Sequence, residues 1–358
     1  MAAEYNGTYQ YSGEHVAELF VKPAEQVMLP EGVTIWTTRD NAKTLYYLGV
    51  ADDNIYKYEK GFKGGDSGAL VPVRVVCEKF KKELSLDLDK FLDMSLRRAL
   101  ESNPGFDVAD LDGSDLEEAE ISVFMDATMR GMVKNLWLGD KTKVHTAAGR
   151  YVADNPATAY AIGDEDKRYS NIDGIWRQIS VSQAKSGDEK VVLHDIEQTD
   201  LNDDNTLKDD VTIKYFKQLY RKSNRILKSL PKSELRFYAT ESMIENYEDT
   251  LEDANGTDGS RRAVIDGIER LTYKGIPILP MPVETALEAD FNDYKPHRAV
   301  LSTPGNLFML FGLGSHTSAK IWTNDDAEER RSRMNFEWNA GYIHPQLITA
   351  VWGEYVTP

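Results

Sequence analysis

The stretch GGDSGA at residues 64–69 sets Ser67 beside an aspartate and between glycines, where a serine hydroxyl can be presented as a nucleophile. Such a serine needs a histidine to take its proton and a carboxylate to orient that histidine. In the protease order with this kind of loop both precede the serine, and only His15 does so here. The segment therefore reads as a Gly-rich loop. The acidic run TDLNDDNTLKDD, Thr199 to Asp210, has the density of carboxylates that a calcium loop needs. It has no glycine at the sharp turn, and counting twelve from Asp200 reaches Val211 instead of a bidentate glutamate. A solvated loop running into a helix N-terminus, where acids suit the helix dipole, explains it better. The six histidines (His15, His145, His194, His297, His316, His344) are dispersed, and the one cysteine is Cys77, so no zinc spacing arises. No phosphate-cradling Gly-x-x-x-x-Gly-Lys and no Gly-x-Gly-x-x-Gly is present. With 59 Asp and Glu, chance carboxylate pairs are certain, so a charged face is the plain reading. The cluster EERRSR, Glu328 to Arg333, would need more positive charge and an aromatic partner around it to read as a nucleic-acid patch. An exposed turn pairing across a subunit boundary accounts for it equally well. No residue is assigned a catalytic, cofactor-binding or metal-binding role.

The balance of the chain agrees. It has 358 residues, 41% hydrophobic and 28% charged, enough for two ordinary domains or one core with insertions. The net charge of −17 argues against a protein whose task is to grip nucleic acid, because phosphate binding is driven by Lys and Arg releasing counterions. Enclosing DNA remains compatible with it. One cysteine fits a reducing cytoplasm, the N-terminal MAAEYNGTYQYSGEH has no basic region followed by an apolar run, and no stretch of eighteen apolar residues occurs. A soluble protein without a secretory leader is expected.

The elements that would have to position any site run as follows. Residues 1–30 are polar and aromatic with scattered Gly and Pro, an extended arm. VTIWTT, a turn at RDNAK, TLYYLGV and NIYKY are β-prone and suggest hairpins. VPVRVVCEKF begins another strand at Val71, and a short helix fits Leu88 to Glu101. Ser114 and Glu117 form a capping box ahead of an amphipathic run that Gly139 stops, which predicts a helix over 115–138, about 35 Å long, with Ala119, Val123, Ala127 and Gly131 on one face and Phe124 beside them. IDGIWRQI, Ile172 to Ile179, reads as a buried anchor. A second long helix fits Leu207 to Ser229, with Val211, Tyr215, Leu219, Ile226 and Leu230 in one stripe and Pro231 ending it. ELRFYAT, a helical ESMIENYEDTLE and the strand pair in RLTYKGIPILPMPV follow. RAVLSTPGNLFMLFGLG supplies a strand and a short helix. In the closing RSRMNFEWNAGYIHPQLITAVW, Met334, Phe336 and Trp338 alternate with Arg333, Asn335, Glu337 and Asn339 as a half-buried strand requires; Gly341 and Pro345 break it, and LITAVW starts another.

This order resembles the major capsid proteins of tailed bacteriophages with the Hong Kong 97 fold. The resemblance is carried by VRVVCEKFKKELSLDLDKFLD, the long helix, IDGIWRQI, YKGIPILPMPV, HRAVLSTPGNLFMLFG and RMNFEWNAGYIHPQLITAVW. Two details match that family's habits: Lys79 to Asp93, and Gly275 to Ile278 followed by Asn306 and Leu307. The resemblance implies an α+β fold with an N-terminal arm (1–30), an extended loop (31–75), a peripheral domain with a spine helix (76–230), an axial domain (231–325) and return strands of the peripheral domain (326–358). It also implies a non-enzymatic subunit without cofactors. That subunit would assemble into hexamers and pentamers of an icosahedral head around double-stranded DNA, within a host bacterial cytoplasm, with portal, scaffolding and decoration proteins as partners and no membrane. The stretches 140–169 and 186–204 leave room for a surface insertion. The alternatives are an encapsulin-like nanocompartment shell and an α+β hydrolase.

Overall fold

The computed structural model describes residues 9–12, 32–48, 70–87, 115–141, 169, 171–255, 262–265, 268–291, 296–313, 318–324 and 329–352. Helix α1 spans Asp115–Leu138, the range read from its capping box and Gly139. Ser114 itself, the predicted helix at 88–101, NIYKY and the Ser67 loop lie outside the described residues, as do His15, His145 and His316. The buried face of α1 is not the small-residue stripe. Ala127 and Gly131 are half-buried, whereas Met125, Met129, Met132, Val133, Leu136 and Trp137 are buried. Larger side chains bring more apolar area out of water, about 25 cal/mol per Å², so they decide which way the helix rolls. Gly139 ends it: its N–H reaches the Asn135 carbonyl at 2.9 Å, and its own carbonyl accepts from Gly174 at 2.8 Å. This seats α2, Ile175–Gln183, against the end of α1, with Ile172, Ile175, Trp176 and Ile179 fully buried as the expected anchor.

Fifteen strands form three sheets among the described residues. The first is organised by β14, Glu329–Tyr342. Along one edge it pairs first with β13 (Ser318–Asn324) and then with β12 (Leu307–Gly312); along the other it pairs with β5 (Glu78–Asp87). β1 (Tyr9–Ser12) adds to β13, and β2 (Val33–Thr38) lies parallel to β12. The second sheet has the order β6-β15-β11-β7-β10-β9-β8. Its strands are β6 (Val192–Asp195), β7 (Arg236–Ala239), β8 (Arg262–Ile265), β9 (Ile268–Tyr273), β10 (Ile276–Pro280), β11 (Arg298–Ser302) and β15 (Thr349–Trp352). Lys274 and Gly275, both at positive φ (53° and 81°), make the two-residue turn between β9 and β10. The third sheet is a ribbon of β3 (Ala42–Leu48) and β4 (Leu70–Val76).

Four expectations are corrected. VTIWTT and TLYYL are both strands but not a hairpin, because β2 goes to β12 and β3 to β4. The helix expected over 207–229 is two: α3, Val211–Lys222, and α4, Arg225–Ser229. Ser223 is extended, and the Asn224 side chain caps α4 by accepting from the Ile226 N–H at 3.1 Å. This break turns Leu227 inward instead of Ile226. No helix follows β11; LFMLFG is a fully buried strand, since Thr303–Asn306 make a turn with Gly305 at φ 84°. Gly341 does not break β14, and Glu337 on its supposedly solvated side is only 3% exposed.

The layers stack in a clear order. α3 and α5 (Glu241–Asn255) cover one face of the seven-stranded sheet through Phe216, Tyr247, Phe237 and Tyr273, whose rings meet edge-on or tilted at 4.7–6.1 Å. The other face of that sheet, with Tyr238, Val300 and Trp352, packs on α1 and α2. These helices in turn cover the even-numbered side of β14, Met334, Phe336 and Trp338. On the odd-numbered side of the first sheet, Phe308 and Leu310 receive Leu45, Val75 and Cys77 of the ribbon. The spine helix is thus enclosed between two sheets.

Candidate functional site

The residues that could do chemistry are tied into structure. In the acidic run, Leu201 bridges Leu207, and the Asp204 carboxylate accepts from the Thr206 N–H (3.0 Å) and hydroxyl (2.6 Å). Tyr215 and Lys214 of α3 donate to Asp200 at 2.5 and 2.6 Å. Burial raises the Asp200 carboxyl, but these two donors outweigh it and hold the group below its usual range. The run is a pinned turn leading into α3, more ordered than a solvated loop, and no cluster of three metal-binding side chains occurs among the described residues.

One serine and one histidine do meet. His297, 4% exposed, has Nδ1 at 2.8 Å from Ser242 Oγ and Nε2 at 2.8 Å from the Asn205 carbonyl. A carbonyl can only accept, so Nε2 carries a proton there. The Ser242 N–H donates to Glu284 at the head of α6, Glu284–Phe291. The arrangement locks the start of α5 to the 202–206 turn. Cys77 is 3% exposed, and burial, with Glu337 and Glu78 adding, pushes its thiol up to about 11, which makes it a small apolar residue in practice.

Two surfaces remain. The first is the ribbon. Cys77 N–H reaches the Asn41 carbonyl at 2.8 Å, so the odd residues of β4 bond to β3 while Pro72 and Arg74 line its open edge. Pro72 has no N–H to offer there, which blunts the edge. A groove of about 350 Å³ runs beside it, walled by Val71, Val73, Val181, Tyr342 and Ile343 and rimmed by Arg177 and Lys185. The second is the odd side of β14. Arg333 Nε lies 2.6 Å from Glu83 Oε1 and Lys81 Nζ 2.9 Å from Glu83 Oε2; these two bonds hold the Glu83 carboxyl below its usual range. Lys320 and Arg333 sit over the Trp322 ring at 5.3 and 5.6 Å. The EERRSR cluster, of which Glu328 is outside the described residues, therefore does have added positive charge and an aromatic neighbour, although cations occupy the ring. Strand pairing brings Lys81 and Lys320 to it from 252 (333 less 81) and 13 (333 less 320) positions away from Arg333. No spacing rule within one segment could have found them.

No protein-family model and no curated protein matches the sequence. Solved structures do match. A chain of the satellite phage P4 procapsid aligns over 95% of this chain and 91% of its own, at TM-score 0.53 and 8% identity. A chain of the cyanophage A-1(L) capsid aligns over 98% and 94%, at TM-score 0.51 and 10% identity. The chain has the Hong Kong 97 capsid fold. Within that capsid fold, α1 is the long central helix, and the candidate functional features are surfaces, the ribbon with its groove and the cationic side of β14. No helix among the described residues is long and apolar enough to cross a membrane.

Proposed function

We propose that this chain is a structural shell subunit, the major capsid protein of a tailed phage, which assembles as hexamers and pentamers of an icosahedral head around double-stranded DNA. The observation that carries the reading is the end-to-end match of the layered fold to two phage capsid chains, each covered by more than nine-tenths. The work of the subunit is contact area without an enzymatic step. Weak contacts repeated with several neighbours multiply through effective concentration.

The layers suggest how the regions divide. The first sheet with α1 forms the peripheral domain, the seven-stranded sheet the axial domain, residues 1–30 the arm and 31–75 the extended loop whose base is the ribbon. On this division 307–324 belong with the peripheral strands, and 192–195 and 349–352 with the axial ones, because that is where their hydrogen bonds go. Portal, scaffolding and decoration proteins, assembly in a host bacterial cytoplasm and residence in the virion belong to the same reading. Purified protein tests it: megadalton particles by light scattering and negative-stain microscopy are expected. A stable monomer of about 40 kDa under all conditions refutes it.

A further inference from the structure

On the odd side of β14, paired positions put Arg331 and Arg333 of β14, Lys79 and Lys81 of β5 and Lys320 of β13 on one face. Among the described side chains of this face, over a length of about 20 Å at strand rise, the carboxylates are Glu83 and the buried Glu337. The next pair in register, Glu329 opposite Asp87, is acidic in sequence and marks the end of the patch. This is a local excess of positive charge on a chain of net −17.

The complementary feature is α5. Glu241, Glu245, Glu248 and Glu252 fall at steps of four, three and four, one stripe about 16 Å long at helical rise. Glu241, Glu245 and Glu252 are exposed, and Glu241–Asn255 contains no lysine or arginine. Like charges four apart repel along a helix. Their field reaches inward: burial pushes the Glu284 carboxyl up, and Glu241 and Glu245 add to the shift.

The two features lie on opposite outer layers, α5 outside the seven-stranded sheet and the cationic face beyond the first sheet, with α1 and α2 between. They cannot meet within one chain. We propose that the cationic face of β5, β13 and β14 receives the acidic stripe of α5 from a second copy of this chain. The proposal rests on the shell reading. Nucleic acid fits the face less well, because a phosphate polymer would also have to cross the rest of a strongly negative surface, whereas the stripe needs only local complementarity within a Debye length of about 8 Å. A contact between two different surfaces is head-to-tail, and such contacts close into rings or run on as filaments.

Three variants test it beside the full-length parent, by sedimentation velocity at about 50 and 500 mM NaCl. They are Lys81→Glu with Lys320→Glu, Glu245→Lys with Glu252→Lys, and all four together; each of the four side chains is exposed. Each pair should raise the concentration needed for assembly by about tenfold or more, and the fourfold swap should bring it back. If a pair should cost folding by circular dichroism, Lys81→Gln with Lys320→Gln must still give a smaller shift in the same direction. Parent-like assembly of a pair, or no rescue by the swap, overturns the proposal while leaving the shell reading intact. Unchanged assembly with loss of co-sedimenting double-stranded DNA assigns the face to phosphate instead. A parent that never associates at either salt overturns both.

Discussion

Trp338 lies 2% exposed on β14, its ring 5.8 Å from that of Phe80 on β5 and tilted to it by 49°, and it is turned into the core shared with α1. Replacing it with alanine should cost about 3–5 kcal/mol through lost burial and the cavity left behind. That is a large part of the roughly 5–15 kcal/mol by which a domain is stable, so the variant should fold with a much lower melting temperature. Trp338→Asp adds a carboxylate to a core whose inward cations already face aromatic rings, Lys82 over Phe124 at 5.6 Å and Arg298 over Trp176 and Trp352 at 5.3 and 5.8 Å. Burial, then the Arg130 charge, holds Lys82 below its ordinary range. A further several kcal/mol of desolvation should then abolish folding. Calorimetry and circular dichroism on parent, Trp338→Ala and Trp338→Asp, with Phe80→Ala for a double-mutant cycle, give the comparison; the ring pair should couple by about 0.5–1.5 kcal/mol. A Trp338→Asp chain that is soluble, melts cooperatively and assembles would refute the placement of this strand in the core.

Gly139→Ala should destabilise by more than about 3 kcal/mol in urea melts, because a Cβ there would strike the Ile172 carbonyl and come within 2.7 Å of the Asn135 carbonyl, both backbone atoms; an unchanged midpoint would overturn the tight α1–α2 junction. The Asp200 carboxyl is depressed in the folded state, so its contribution is present above the ordinary aspartate pKa and is lost as pH falls through the lower folded value. Urea midpoints should therefore drop below about pH 4 more steeply in the parent than in Asp200→Asn, and parallel curves would contradict this. Deleting Met1 to Gln26 should leave the melting temperature within a few degrees, since the described part of that segment is the four-residue edge strand β1, and should impair particle formation; an unfolded product would show that the segment is core.

Local signals were legible where one segment decides its own fate. The range predicted for α1 matches Asp115–Leu138 with Gly139 beyond its end, and the alternation of Met334, Phe336 and Trp338 marks their common burial. What the segment alone could not show is partnership. VTIWTT and TLYYL read as a hairpin because they are adjacent, but pairing is settled by the faces they bury 270 residues away, as between Val33 and Leu307, where 307 less 33 is 274. LFMLFG has no period because both its sides are covered, which hides the difference between buried strand and buried helix. The cap at Asn224 was visible in type but outweighed by an apolar stripe that ran through it. Glu337 was placed on a solvated side because alternation assumes water beyond the strand, and the ribbon stands there instead. The cationic face is legible only once three strands are aligned, while the acidic stripe of α5 could be read directly from its spacing.

The position of β15 has a consequence for biosynthesis. It sits inside the seven-stranded sheet, hydrogen-bonded to β11 on one side and to β6 on the other. During translation β6, β7, β10 and β11 all leave the ribosome before residues 349–352 do, so the sheet stands with an unfilled slot between two strand edges until nearly the whole described chain has been made. Such edges are templates for the wrong partner, including the same slot on a nascent neighbour. Closure of the slot by Thr349–Trp352, with Trp352 stacking on Trp176 at 6.1 Å, would make completion of this sheet wait for that segment. The supply of assembly-competent subunits would then be timed by the emergence of Thr349–Trp352 from the ribosome.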